Sequence, residues 1–161
     1  MINLILIRHG QSEWNAKNQF TGWVDANLSD KGRSEASLAG KLIKDTKIDI
    51  SSSYTSYLKR AKDTLNIILN IINNQNTTIT EAWELNERHY GALTGLNKIE
   101  TKTKLGEEVY NQYRRSWDVA PPSIEKNSAY LSKFSYLNSK IPPEKIPTTE
   151  SLKNTYERVM S

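Results

Sequence analysis

The chain has 161 residues, 37% hydrophobic and 25% charged, enough for one soluble domain with a proper core. It has no cysteine, which excludes disulfides, thiolate catalysis and cysteine metal sites, and no apolar run approaches the roughly 20 residues that span a bilayer. The net charge of +4 suits acidic small molecules; nucleic acid is the rival partner, but no Lys/Arg run with interleaved aromatics appears.

Met1 leads straight into an apolar segment with neither a basic stretch nor a cleavage-like site, so no signal peptide is expected and a cytoplasmic location fits. Ile2, Leu4, Ile5, Leu6 and Ile7, interrupted only by Asn3, predict a strand buried on both faces of a parallel α/β sheet. That run ends in Arg8-His9-Gly10. Ligands of open α/β sheets bind beyond the carboxyl ends of the strands, where the His9 imidazole would stand. Gly10 leaves room for a close backbone approach, and Ser12 and Asn15 add hydrogen-bonding groups.

Gln19–Asn27 reads as loop. Ser29 is placed to cap a helix over Asp30–Asp45, with Ala36, Ala39, Gly40 and Ile43 on one face and Leu38 and Leu42 beside it. Ile48–Thr55 can supply a second strand. Ser56 then caps a helix whose core stripe is Leu58, Ala61, Leu65, Ile68 and Ile72, closed by Asn73. Thr77–Glu81 is a candidate third strand, and the alternating order argues for right-handed βαβ units.

Beyond Trp83 the texture changes. Leu85–Gly95 is polar, aromatic and glycine-punctuated, which reads as loop. A helix follows over Glu107–Trp117, with Val109, Tyr110, Tyr113 and Trp117 on a shared face. All five prolines fall between Pro121 and Pro147, so residues 118–147 read as a proline-bearing, lid-like insert. Thr148 could cap a final helix with Leu152, Tyr156 and Val159 inward. Without a repeat or a linker, residues 1–161 read as one domain.

Among the residues that could do chemistry, His9 stands out. A neutral imidazole is a good nucleophile toward phosphorus, and its place after a buried strand favours catalysis over a structural role. Arg8 and Arg60 suit the charge on a transferring phosphoryl group, Arg60 near the positive end of a helix dipole; a solvated surface arginine is the alternative. Arg114-Arg115 is either an exposed face or a carboxylate clamp. Glu87 is either a general acid–base or an ion-pair partner of Arg88. His89 is either a second catalytic imidazole or, the favoured reading, a ring packed under Tyr90 and hydrogen-bonded in the loop. Two histidines with no HExxH spacing argue against a zinc site, and the four tryptophans read as packing.

Leu6-Ile7-Arg8-His9-Gly10-Gln11-Ser12-Glu13-Trp14-Asn15 resembles the signature of the histidine phosphatase superfamily. Phe20-Thr21-Gly22-Trp23, Leu28-Ser29-Asp30-Lys31-Gly32, Tyr54-Thr55-Ser56 with Arg60-Ala61, Leu85–Gly91 with Leu96-Asn97-Lys98, Arg114-Arg115, Pro121-Pro122 and Thr149-Glu150-Ser151-Leu152 extend the likeness. Together they resemble the cofactor-dependent phosphoglycerate mutases from residue 1 to 161. The resemblance implies a three-layer α/β/α fold with a mostly parallel sheet. It also implies an isomerase of glycolysis and gluconeogenesis that interconverts 3-phosphoglycerate and 2-phosphoglycerate through a phosphohistidine. The primer would be 2,3-bisphosphoglycerate, with no metal, nucleic acid or membrane partner.

Carried over by position, His9 is the nucleophile, Arg8 and Arg60 bind the phosphoryl group, and Ser12 and Asn15 line its pocket. Glu87 exchanges the proton of the substrate hydroxyl. Thr21, Gly22, Tyr90, Lys98, Arg114 and Arg115 contact substrate phosphate or carboxylate, and His89 is structural. The family pattern continues into a strand ending in a His-Gly-Asn-like motif. This sequence stops before it, so the fold is expected to be C-terminally incomplete and the second histidine has no counterpart here. A further C-terminal part, a truncated product, or a second copy completing the sheet as a homodimer would each account for that. The alternatives to the mutase are a phosphomonoesterase of the same superfamily and a phosphate-binding remnant with little or no activity.

Overall fold

The computed structural model describes residues 3–137 and 139–161. The described residues comprise a parallel strand pair and six α-helices, the first of them the single turn α1 (Glu13–Ala16), an α/β protein. They form two compact units: Met1–Glu13 with Ala26–Trp83, as far as described, and Trp14–Asp25 with Glu84–Ser161. No helix among the described residues is long and apolar enough to cross a membrane.

The first unit is built around β1 (Ser52–Thr55), α3 (Lys59–Ile72) and β2 (Thr78–Glu81), preceded by α2 (Asp30–Thr46). The strands run parallel with Ser52 opposite Thr78 and Thr55 opposite Glu81, so α3 is the crossover of a βαβ unit. Ser29 caps α2 as its residue type predicts, its hydroxyl accepting the Gly32 N–H at 3.1 Å. Ala36, Gly40 and Ile43 form the buried face of α2. Gly40 lies against Ile68 and Ile71 of α3, where a side chain would crowd the helix pair. Leu38 and Leu42 remain exposed.

Three expectations change in this unit. The apolar run is not a buried strand over its described residues: 3–7 form no ladder, and Leu4 and Leu6 are 80% and 84% exposed. Ile2 lies outside the described residues. A two-face-buried strand needs partners on its edges and packing on both faces, and the described residues supply neither. Ser56 does not cap α3. The N-cap is Leu58, and the Ser56 hydroxyl accepts the Leu58 N–H at 3.3 Å in a turn ahead of the helix. The buried line of α3 runs through Arg60, Thr64 and Ile68 at four-residue steps, a polar-to-apolar stripe rather than the all-apolar one. Asn73 closes the helix in the left-handed region, as anticipated.

The second unit holds α4 (Lys98–Leu105), α5 (Glu107–Arg115) and α6 (Leu152–Met160), with short 3-10 turns between. Asn97 caps α4 by accepting from the Ile99 and Glu100 N–H groups. Periodicity does not announce this helix, because only Thr101 is buried on it. The core gathers Phe20, Leu93 and Tyr110 with Tyr90, Leu105 and Tyr113 around them. Trp117 lies past the end of α5 and is exposed. Within the proline-bearing stretch, Ile124, Phe134, Leu137 and Ile141 are buried.

Helix α6 starts later than Thr148. Ser151 and Asn154 form a reciprocal capping box, while the Thr148 hydroxyl donates to Ser123. The inward face also inverts: Leu152, Tyr156 and Val159 are exposed, and Arg158 is the residue turned inside.

Candidate active site

In the first unit the site is set by a backbone crossing. An added Cβ at Gly10 would strike the Gly32 carbonyl, and one at Gly32 would strike the Gln11 carbonyl. Only glycines let the segment after His9 lie on the first turn of α2. The Ser29 N–H and hydroxyl both donate to the Gln11 carbonyl, at 2.9 and 3.1 Å, fixing that crossing.

This places the imidazole. His9 Nδ1 is 2.7 Å from the Gly10 carbonyl, and Arg60 Nε donates to His9 Nε2 at 3.2 Å. A carbonyl only accepts and a guanidinium only donates, so the ring proton belongs on Nδ1 and the lone pair on Nε2. Arg60 is fully buried in the first turn of α3, with the positive end of the helix beside it. Thr64, one turn on, donates to the Arg60 carbonyl at 2.8 Å and accepts the Gly10 N–H at 3.1 Å. One hydroxyl therefore couples the histidine segment to the arginine helix. Ser12 is fully buried in the same unit, whereas Arg8 is exposed.

In the second unit the cations gather on an aromatic pair. Phe20 and Tyr90 pack with ring centroids 5.0 Å apart. Lys98 Nζ lies 5.8 Å from the Phe20 centroid, Arg114 Cζ 5.9 Å from it, and Arg88 Cζ 4.9 Å from that of Tyr90. The Tyr110 hydroxyl accepts from Arg114 Nη1 at 2.9 Å and fixes it. Glu87 is half-buried and hydrogen-bonded to Tyr90; burial, with the Glu87 carboxylate adding to it, holds the Tyr90 phenol above its ordinary value. Gly22 turns the chain at φ +53° directly against the Arg88 carbonyl and Tyr90. Thr21 is buried beside it in sequence, Asn15 is half-buried, and Arg115 is exposed.

His89 is held as a neutral packing ring. Its Nδ1 accepts the Gly91 N–H at 3.0 Å, and Trp23 and Phe134 flank it. Burial, with the Arg158 charge adding to it, pushes it down to about 4. Sequence reasoning gave no site role to Thr64, Glu150 or Arg158, and named Arg88 only as an ion-pair partner for Glu87. The four-residue step from Arg60 to Thr64 was a usable signal; nothing local marks Glu150 and Arg158. Among the described residues no group of three or more His, Asp or Glu is placed to hold a metal ion.

A family model described as histidine phosphatase superfamily (branch 1) matches residues 4–145. The chain is 52% identical over 160 residues to a 2,3-bisphosphoglycerate-dependent phosphoglycerate mutase of Pelagibacter ubique, covering 99% of this chain and 67% of that one. A second protein of that description, from Hamiltonella defensa, is 47% identical over 157 residues, covering 98% and 63%. The chain thus spans about two thirds of the length of these curated relatives. Among solved structures, mycobacterial hydrolase 1 is similar with a TM-score of 0.63 at 20% identity, over 94% of this chain and 58% of that one; this likeness speaks to the fold alone.

Proposed function

The chain belongs to the histidine phosphatase superfamily, and we propose that it is a cytoplasmic 2,3-bisphosphoglycerate-dependent phosphoglycerate mutase of glycolysis and gluconeogenesis. The observation that carries the phosphoryl chemistry is the Nε2 lone pair of His9 facing the buried Arg60 guanidinium, with its Nδ1 proton held by a carbonyl. The mutase assignment within the superfamily is supported by the names of the relatives at 47% and 52% identity.

In this reading His9 Nε2 attacks phosphorus, forming an N–P bond as the P–O bond to the donor oxygen breaks. The Gly10 carbonyl stabilises the positive charge that the ring acquires at Nδ1. Arg60 turns its donors from the imidazole to the phosphoryl oxygens, where negative charge is spread in the transition state. Glu87 protonates the departing hydroxyl oxygen and, in the reverse transfer, accepts the proton of the attacking hydroxyl. Arg8, Ser12 and Asn15 complete the phosphoryl contacts. Lys98 and Arg114, with Tyr90, Thr21, Gly22 and Arg115, take the substrate carboxylate and second phosphate. The primer supplies the first phosphoryl group; the cations around Phe20 and Tyr90 fit its negative charge.

The test is incubation with 2,3-bisphosphoglycerate, followed by assay for acid-labile phosphate on His9 and for conversion of 3-phosphoglycerate to 2-phosphoglycerate. Label and conversion, both lost in His9→Ala, are expected. Label that passes to water and not to 3-phosphoglycerate would mark a phosphomonoesterase, and no label would overturn both.

A further inference from the structure

Helix α6 carries a buried ion pair whose reach extends past its own helix. Arg158 donates to Glu150 twice, Nε to Oε1 at 2.6 Å and Nη2 to Oε2 at 2.9 Å, with the two side chains only 7% and 4% exposed. The same guanidinium donates to the Glu84 carbonyl at 2.6 Å and, through both terminal nitrogens, to the Asn86 carbonyl at 3.2 Å. Glu150 makes its own connection to that loop. Its Oε2 accepts the His89 N–H at 2.8 Å, and its backbone N–H donates to the His89 carbonyl at 3.0 Å. The pair therefore grips the backbone one residue before Glu87 and two residues after it.

We propose that Glu150 and Arg158 are positioning residues for Glu87, fixing where its carboxylate meets the substrate proton. The inference rests on the reading of Glu87 as the proton-exchanging group. A buried ion pair is a poor way to add stability, because desolvation of both charges offsets most of their attraction. Apolar side chains of similar volume would dock α6 as well, but they could not hold two carbonyls and one N–H of a loop. The fork of Arg158 suits the task where a lysine does not. Its donors are planar and fixed, so they bond the carboxylate on one side and the Glu84 and Asn86 carbonyls on the other. The capping box at Ser151 and Asn154 sets the start of the helix, and Trp23 lies 5.4 Å from the guanidinium. A proton-transfer group displaced by about 1 Å loses on the order of a hundredfold in rate, which is the error this clamp prevents.

The experiment uses the full chain, 13C-labelled at the glutamate side-chain carboxyl, with the Glu87 signal identified by its loss in Glu87→Gln. Arg158→Lys keeps the charge and removes the fork; Glu150→Gln keeps the size and an acceptor. The expected result is a Glu87 signal that shifts and broadens in both folded variants, while the His9 ring signals stay in place. In turnover, kcat falls about tenfold with KM within about twofold. An unchanged Glu87 signal in the folded variants overturns the proposal. If neither variant folds, amide exchange of the unaltered chain decides. The His89 amide should be protected like that of Glu150, and exchange a hundredfold faster would sink the clamp. The carboxyl signal needs no substrate, so absence of turnover in the unaltered chain overturns the mutase reading without touching this result.

Discussion

Arg60 Nε donates to His9 Nε2 at 3.2 Å, joining residues 51 positions apart in the chain. The contact exists because two glycines let the His9 segment cross α2 and because Thr64 ties that segment to α3. In the proposed mechanism the Nε2 lone pair that accepts from Arg60 is the one that attacks phosphorus. In that mechanism the Arg60 donor would move onto a phosphoryl oxygen as the N–P bond forms. The expected consequence is that Arg60→Ala lowers the rate of phosphoenzyme formation about a hundredfold, the loss typical of one preorganised charge stabiliser. Arg60→Lys recovers only part, having no planar fork. Rapid-quench labelling from 2,3-bisphosphoglycerate measures both, and near-normal rates would remove Arg60 from the site.

Glu87→Gln separates proton transfer from binding. The amide keeps the size of the side chain and an acceptor for the Tyr90 hydroxyl, but it cannot take up a proton at neutral pH. Labelling of His9 should slow by about a hundredfold or more, while the affinity for 3-phosphoglycerate, measured by calorimetry, stays within about threefold. Equal losses in rate and affinity would make Glu87 structural.

His89 gives the fold an acid limit. It sits at about 4 in the folded chain against an unfolded value of 6.5, burial being the main cause and the Arg158 charge the second. Between those values the unfolded chain binds a proton that the folded chain does not, so acid favours unfolding. This contribution is complete above pH 6.5 and is lost as pH falls toward 4, by at most ~3 kcal/mol. In His89→Asn, whose amide oxygen can still accept the Gly91 N–H, the fall in Tm from pH 7 to 4.5 should be shallower. Parallel curves would place the acid sensitivity in other groups.

The sequence exposes those parts of the fold that are decided locally. Ser29 and its helix, the βαβ order and the Asn73 stop follow from cap chemistry and apolar spacing within a few residues of each site. The misses have another origin. Helix α4 has no apolar stripe because it contributes little to the core. Helix α6 shows an apolar stripe that is exposed, while its inward residue is an arginine satisfied by a carboxylate and two carbonyls. The pattern of apolar residues cannot announce a buried charge, since only the three-dimensional partner makes its burial tolerable. The site divides the same way. Arg8-His9-Gly10 marks a candidate site in the sequence itself, but Thr64 reads as a helix threonine until Gly10 is seen bonded to it. Arg8, next to His9 in sequence, is instead exposed.

The apolar run at Leu4–Ile7 supplies the sharpest contrast between pattern and burial. By composition Leu6 looks like core and Leu58 looks like its equal. In the structure Leu6 is 84% exposed and Leu58 only 2%. Truncating a buried leucine removes its transfer free energy and leaves a cavity, a loss of about 2–5 kcal/mol, whereas truncating an exposed one loses almost no burial. Leu58→Ala should therefore lower stability toward urea by roughly that amount and loosen the start of α3, on which Arg60 depends. Leu6→Ala should stay within about 0.5 kcal/mol of the unaltered chain. A Leu6→Ala loss as large as that of Leu58→Ala would mean that residues 3–7 are covered in solution, and the exposed run would have to be redrawn as part of a buried surface.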